Sequence, residues 1–148
     1  MMLKIQRRAE MTWSGNLVRG NGAVRVGSGV VETLPMTWAS RIEQPDGKTS
    51  PEELIAAAHA GCYAMALALT LTEGGTPPER LRVAAVCTLE EVEGKPKITS
   101  MELEATGKVV GLDAAGFEQV ACQAEQLCPV SNALRQNVAI RLTAHLEA

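Results

Sequence analysis

The chain has 148 residues, enough for a single domain, 1–148, with a modest core. Its formal net charge is −3 and only 3% of its residues are aromatic, which excludes the basic footprint and stacking platforms of a nucleic-acid binder. Four cysteines without Cys-x-x-Cys or zinc-ribbon spacing argue against a disulfide scaffold or a structural zinc.

The basic start, Lys4-Ile5-Gln6-Arg7-Arg8, leads into no apolar run, so a cytoplasmic protein is expected. The first forty residues read as strands. Gly20-Asn21-Gly22 and Gly27-Ser28-Gly29 are turn signals between short Val-rich runs such as 23–26. Pro45-Asp46-Gly47 predicts another turn. Thr49-Ser50-Pro51-Glu52 then opens a helix, with Ser50 as N-cap and Pro51 in the first helical position. Leu54, Ile55, Ala58, Cys62, Met65, Ala66 and Leu69 follow at helical spacing, and Gly74-Gly75 closes the element.

The stretch 54–72 is nearly uncharged and long enough to cross a bilayer. It is rich in alanine, contains His59 and Gly61, and is flanked by Glu52, Glu53 and Glu73 rather than by basic anchors. A soluble core helix is therefore expected, with no membrane partner. Being apolar all round, it needs cover on every side, and a second subunit is expected to supply part of it.

Segments 81–92 and 97–110 predict two strands joined near Gly94, with Met101, Leu103 and Ala105 facing inward. Asp113 starts a second helix whose apolar stripe is Phe117, Val120, Ala121, Ala124 and Leu127. Cys128-Pro129 interrupts it, and a short helical turn runs on through Leu134. The chain closes on a strand in which Val138, Ile140, Leu142, Ala144 and Leu146 alternate with polar or small residues. Strands, long helix, two strands, helix and strand in that order argue for an α+β fold rather than a doubly wound parallel sheet.

Each cysteine has two readings. Cys62 lies mid-helix, where the helix dipole is weak and apolar surroundings leave a thiol inert. It is either a buried structural residue or a nucleophile that needs a cation brought from elsewhere. Cys128 precedes Pro129 at a new helix start, an N-cap where free backbone N–H groups favour a thiolate; the bland alternative is a simple helix break. Cys87, on a strand, reads as structural. Cys122 falls beside Glu118 and Glu125 on the wetter helix face and reads as a bystander.

The run 49–66, Thr-Ser-Pro-Glu-Glu-Leu-Ile-Ala-Ala-Ala-His-Ala-Gly-Cys-Tyr-Ala-Met-Ala, closely resembles the peroxidatic helix of the OsmC/Ohr family. Cys128-Pro129-Val130-Ser131 resembles that family's second-cysteine motif, and Trp13-Ser14-Gly15 and Gly111-Leu112-Asp113 also fit. His59 and the Cys-Pro-Val-Ser form favour the OsmC branch. The resemblance implies an α+β fold of antiparallel sheets wrapped around long central helices in an intertwined homodimer. It implies a peroxidase active in oxidative-stress defence, with Cys62 peroxidatic and Cys128 resolving through an intrachain disulfide. No metal or cofactor is implied, and an external dithiol of lipoyl type would restore the thiols.

The family also places an arginine and a glutamate beside the reactive thiol. Glu52 matches the glutamate. Arg41 fits the OsmC-branch arginine and Arg19 the Ohr-branch one; Arg41 is preferred because its surroundings are OsmC-like. His59 and Met65 are expected to line the substrate pocket, which would favour organic hydroperoxides. Glu52 and Cys62 lie ten residues, or about 15 Å, apart along one straight helix. A partner subunit is therefore expected to bring the Glu–Arg pair to Cys62. Two other readings are open: a metal site on His59 and Cys62, which lacks ligands because His145 is an unpromising third, and a non-catalytic module binding a hydrophobic ligand.

Overall fold

A computed structural model of the protein describes residues 3–148. The chain divides into two compact units, Met1–Pro51 and Glu52–Ala148.

The first unit holds strands β1 (Ala9–Ser14), β2 (Asn21–Val26) and β3 (Leu34–Met36) in one antiparallel sheet, in that order. A short helix, α1 (Trp38–Ile42), follows where the composition suggested only strands. A reciprocal capping box starts it. The Ser40 amide donates to Thr37 Oγ1 at 3.0 Å, and the Thr37 amide donates to Ser40 Oγ at 2.9 Å. The same Ser40 hydroxyl reaches the Thr49 carbonyl, fastening α1 to the segment that enters the next helix. The turn at Asp46-Gly47 is formed as expected, both residues having positive φ.

The second unit is built on α2 (Pro51–Glu73), which begins at its proline and ends at Gly75 in the left-handed region (φ 86°). Its core face is the row His59, Tyr63, Leu67 and Leu71, all fully buried. This differs from the stripe expected from spacing. Met65 and Leu69 are 71% and 56% exposed, and Ala58 is exposed too. A helix apolar all round offers no amphipathic signal, so polar partners distinguish the inward face. The Tyr63 hydroxyl donates to the Ala121 carbonyl at 2.9 Å, and His59 meets Ser131.

Strands β4 (Arg80–Val92) and β5 (Lys95–Lys108) form a long antiparallel hairpin. Its two-residue loop, Glu93-Gly94, has positive φ at both positions, as the twist of a tight hairpin demands. Strand β6 (Ala139–Leu146) pairs with β5 in parallel, from Ser100 opposite Ala139 to Gly107 opposite Leu146. The expectation of wholly antiparallel sheets is corrected here. Parallel pairing needs a long crossover, and α3 (Ala114–Leu127) with α4 (Pro129–Leu134) provides it.

The crossover closes the core. Met101, Leu103 and Ala105 from β5 are buried, as their alternation predicts, and Leu103 and Ala105 join Phe117, Ala121 and Ala124 of α3 in one cluster with the α2 row. Gly107 permits this packing, since a Cβ there would lie 2.6 Å from Phe117 Cζ. The α3 stripe ends sooner than its spacing suggests: Leu127 is 61% exposed, while Glu125, expected on the wet face, is buried. Although α2 is long and apolar enough to cross a membrane, its Tyr63–Leu71 row is part of this core.

Candidate active site

Cys128 occupies the junction of α3 and α4, serving as C-cap of one and N-cap of the other. Its extended backbone (φ −73°, ψ 116°) is what an N-cap requires, and Pro129 takes the first position of α4, where a missing N–H costs nothing. The first free amides of α4 are therefore those of Val130 and Ser131. Each bears on a different sulfur. The Ser131 amide donates to Cys128 Sγ at 3.5 Å, and the Val130 amide lies near enough to the Cys62 thiol to favour its anion.

Cys62, half-buried on α2, packs against the core cluster that holds the fully buried Cys128, close enough for that thiol to influence its ionisation. Both thiols are free. The structure thus brings together the two cysteines singled out in the sequence. Burial is the main influence on Cys62 and pushes its pKa up; the Val130 amide opposes this, and Cys128 raises it further. Within this chain the net push is towards the neutral thiol.

His59 lies one turn before Cys62, fully buried, with Nε2 2.7 Å from Ser131 Oγ. Its Nδ1 is buried without a hydrogen-bond partner among the described residues. An unmet buried N–H is rarer than an unmet lone pair, so the favoured tautomer carries its proton on Nε2 and donates to Ser131. Burial holds the imidazole below its ordinary pKa; Glu125 raises it and Arg135 adds to the lowering. The folded protein therefore binds fewer protons at this site than the unfolded chain. Stability from this group is complete above the ordinary histidine value of about 6.5 and is lost as pH falls from there through the folded-state value. His59→Gln is expected to flatten that decline, measured as urea midpoints between about pH 7 and about pH 5.

Glu125 and Arg135 straddle the Cys128 junction. Arg135 Nη1 contacts both Glu125 carboxylate oxygens, at 2.7 and 3.0 Å, and Nη2 donates to the Glu125 carbonyl and to Asn132 Oδ1. With the Cys128 amide donating to the Glu125 carbonyl, the clamp fixes the angle between α3 and α4. Sequence reading missed this pair because a helical wheel cannot relate residues across the Cys128-Pro129 break.

Glu52 is buried in the first turn of α2. Cys87 is half-buried on β4, its pKa raised by burial first and by Glu52 second, and Cys122 is exposed as expected. In the first unit, Arg41 lies on α1 beside a cavity of about 270 Å³ lined by Met11, Trp13, Leu17, Met36 and Trp38 among others. Arg19 sits in the β1–β2 loop, where its backbone amide donates to Asn16 Oδ1. Met65, expected to line a pocket, is exposed in this chain, and His59 is enclosed against Ser131. No three His, Cys, Asp or Glu residues gather as a metal-ligand group among the described residues.

These features describe an α+β protein in which two free cysteines, Cys62 and Cys128, pack near each other at a helix junction. The OsmC-like protein family matches residues 44–143, and the chain belongs to that family. It is 36% identical over 138 residues to peroxiredoxin OsmC of Escherichia coli K12, covering 93% of this chain and 96% of that protein. It is also 29% identical over 98 residues to an organic hydroperoxide resistance protein of Xanthomonas axonopodis pv. citri, covering 64% of this chain and 66% of that protein. The crystal structure of an organic hydroperoxide resistance protein from Elizabethkingia anophelis superimposes with a TM-score of 0.76 at 25% identity, over 98% of this chain and all of that one.

Proposed function

We propose that the protein is a cysteine-based peroxidase that reduces organic hydroperoxides, and hydrogen peroxide as well, in defence against oxidative stress. The observation that carries this reading is the packing of Cys62 against the core cluster that holds Cys128, at the start of α4, where the Ser131 amide donates to the Cys128 sulfur. The relatives named for peroxiredoxin and organic hydroperoxide resistance support it.

In the first step the Cys62 thiolate attacks one peroxide oxygen. The O–O bond breaks, an alcohol or water leaves after taking a proton, and Cys62 becomes a sulfenic acid. Cys128 then attacks that sulfur, forming the Cys62–Cys128 disulfide and expelling water. An external dithiol, of lipoyl type, reduces the disulfide by exchange and is itself oxidised. No resident cofactor takes part.

The upward push of burial on Cys62 means that a cation must favour its thiolate. Arg41 is assigned that role, with Arg19 as the alternative, and Glu52 orients the guanidinium by bidentate pairing. The geometry along α2 favours a homodimer in which the partner subunit supplies the pair. The apolar side chains around the Arg41 cavity favour organic hydroperoxides.

One equivalent of cumene hydroperoxide added to the reduced protein is expected to remove two free thiols per chain, and peptide mapping is expected to find Cys62 linked to Cys128. Retention of all four thiols under mild oxidant is the behaviour of a non-catalytic binding module and would overturn the assignment.

A further inference from the structure

The residues His59 and Cys62 on α2, and Cys128 and Ser131 at the start of α4, have the same spacing of three. Cys62 packs near Cys128, and His59 meets Ser131 with Nε2 2.7 Å from Oγ. The two segments therefore run antiparallel here and are matched at two rungs, one of sulfur and one of imidazole and hydroxyl. Ser131 belongs to both, since its backbone amide donates to Cys128 Sγ.

We propose that the His59–Ser131 bridge is a positioning device for disulfide closure: it holds α4 against α2 so that Cys128 stays in register with Cys62. The proposal rests on the assignment of these cysteines as the redox pair. The Glu125–Arg135 clamp fixes α4 to α3, but it does not reach α2. The His59–Ser131 hydrogen bond supplies the link to the helix that carries Cys62.

Closure is demanding in geometry. The sulfurs must close from their non-bonded separation to a bond of about 2.05 Å, with a narrow range of dihedral angle. Cys128 gives up its thiol proton and attacks the Cys62 sulfenic sulfur, the S–O bond breaks, and the oxygen leaves as water. Proximity of the two groups governs the rate of such an intramolecular step, so a loosened α4 slows it. Attack of peroxide on Cys62 precedes it and needs no register with α4. The bridge should therefore separate the two steps. Its loss leaves sulfenic acid formation intact and prolongs the life of that acid, which further peroxide converts to sulfinic acid.

The test is rapid-quench oxidation of the full-length protein with cumene hydroperoxide, with sulfenic acid, disulfide and sulfinic acid counted by mass spectrometry. In His59→Leu and in Ser131→Ala, sulfenic acid formation is expected within about two-fold of the unaltered protein. Disulfide closure is expected to slow about five- to ten-fold, the scale of one lost buried hydrogen bond, with sulfinic acid accumulating. His59→Gln, whose amide nitrogen replaces Nε2–H, is expected to restore most of the closure rate. The double variant is expected to close no more slowly than either single one, because both remove the same contact.

Closure at the unaltered rate in a folded Ser131→Ala protein overturns the proposal, and this milder variant decides the matter if His59→Leu does not fold. An unaltered protein that forms sulfenic acid but never the Cys62–Cys128 disulfide instead overturns the assignment of the pair, and the positioning role with it.

Discussion

Cys62→Ser is expected to abolish peroxide turnover, lowering kcat/KM by roughly 10³-fold or more, the scale on which removal of a covalent nucleophile acts. A serine hydroxyl at this position is not ionised at neutral pH and cannot be carried to a sulfenic state, so no slower version of the same chemistry remains. Cys128→Ser is expected to behave differently. Its Cys62 should react once with peroxide at close to the ordinary rate, then stall, because no second thiol is present to expel water from the sulfenic sulfur. In steady state with a dithiol reductant the variant should run slowly at best, and excess peroxide should drive Cys62 to the sulfinic acid. A single-turnover burst followed by inactivation is thus its signature. Equal and complete loss in both variants, with no burst in Cys128→Ser, would mean that Cys128 serves the reactivity of Cys62 rather than resolving it. Full activity in Cys62→Ser would remove the mechanism altogether.

The parts of this site that were legible in the sequence are those encoded by local chemistry. Cys128-Pro129 marked a helix start, and the structure places the thiol at an N-cap whose first donating amides are Val130 and Ser131. The alternation at Met101, Leu103 and Ala105 gave the inner face of β5 directly. The turn near Gly94 and the start of α3 at Asp113 were equally local, each requiring a backbone conformation or cap that few residues supply.

What stayed hidden depended on partners distant in sequence. The inward face of α2 follows from Tyr63 finding the Ala121 carbonyl and from His59 finding Ser131, 72 residues away. Glu125 looked wet because its neighbours on the helix are polar. It is buried because Arg135, beyond the proline break, neutralises it. The direction of β6 was hidden for a similar reason: an alternating strand has the same pattern whether its neighbour runs with it or against it. Only the path of α3 and α4 makes it parallel to β5.

Met65→Glu is expected to dissociate the proposed homodimer and to make Cys62 titrate as an alkaline thiol. Ala57, Gly61, Met65 and Leu69 form a row at intervals of four along α2, and all four are exposed in this chain. In the proposed homodimer it is the ridge offered to the partner's helix, with a glycine whose absent Cβ faces open space. Burying a methionine contributes about 1.5–3 kcal/mol, and in a twofold assembly one substitution acts twice. Loss of roughly 3–6 kcal/mol weakens association by about 10²- to 10⁴-fold, enough to expose the monomer at micromolar concentration. The consequence for the chemistry follows from the sign of the shift at Cys62. Burial raises its pKa within the chain, so a thiolate at neutral pH depends on the cation assigned to the partner. In the dissociated variant the rate of thiol alkylation should fall at neutral pH and recover only above the ordinary cysteine range. Sedimentation equilibrium and the pH profile of alkylation measure the two effects independently. A monomeric variant that keeps a low Cys62 pKa would place the cation in the same chain as the thiol; an unaltered protein that is monomeric and fully active would remove the need for a partner.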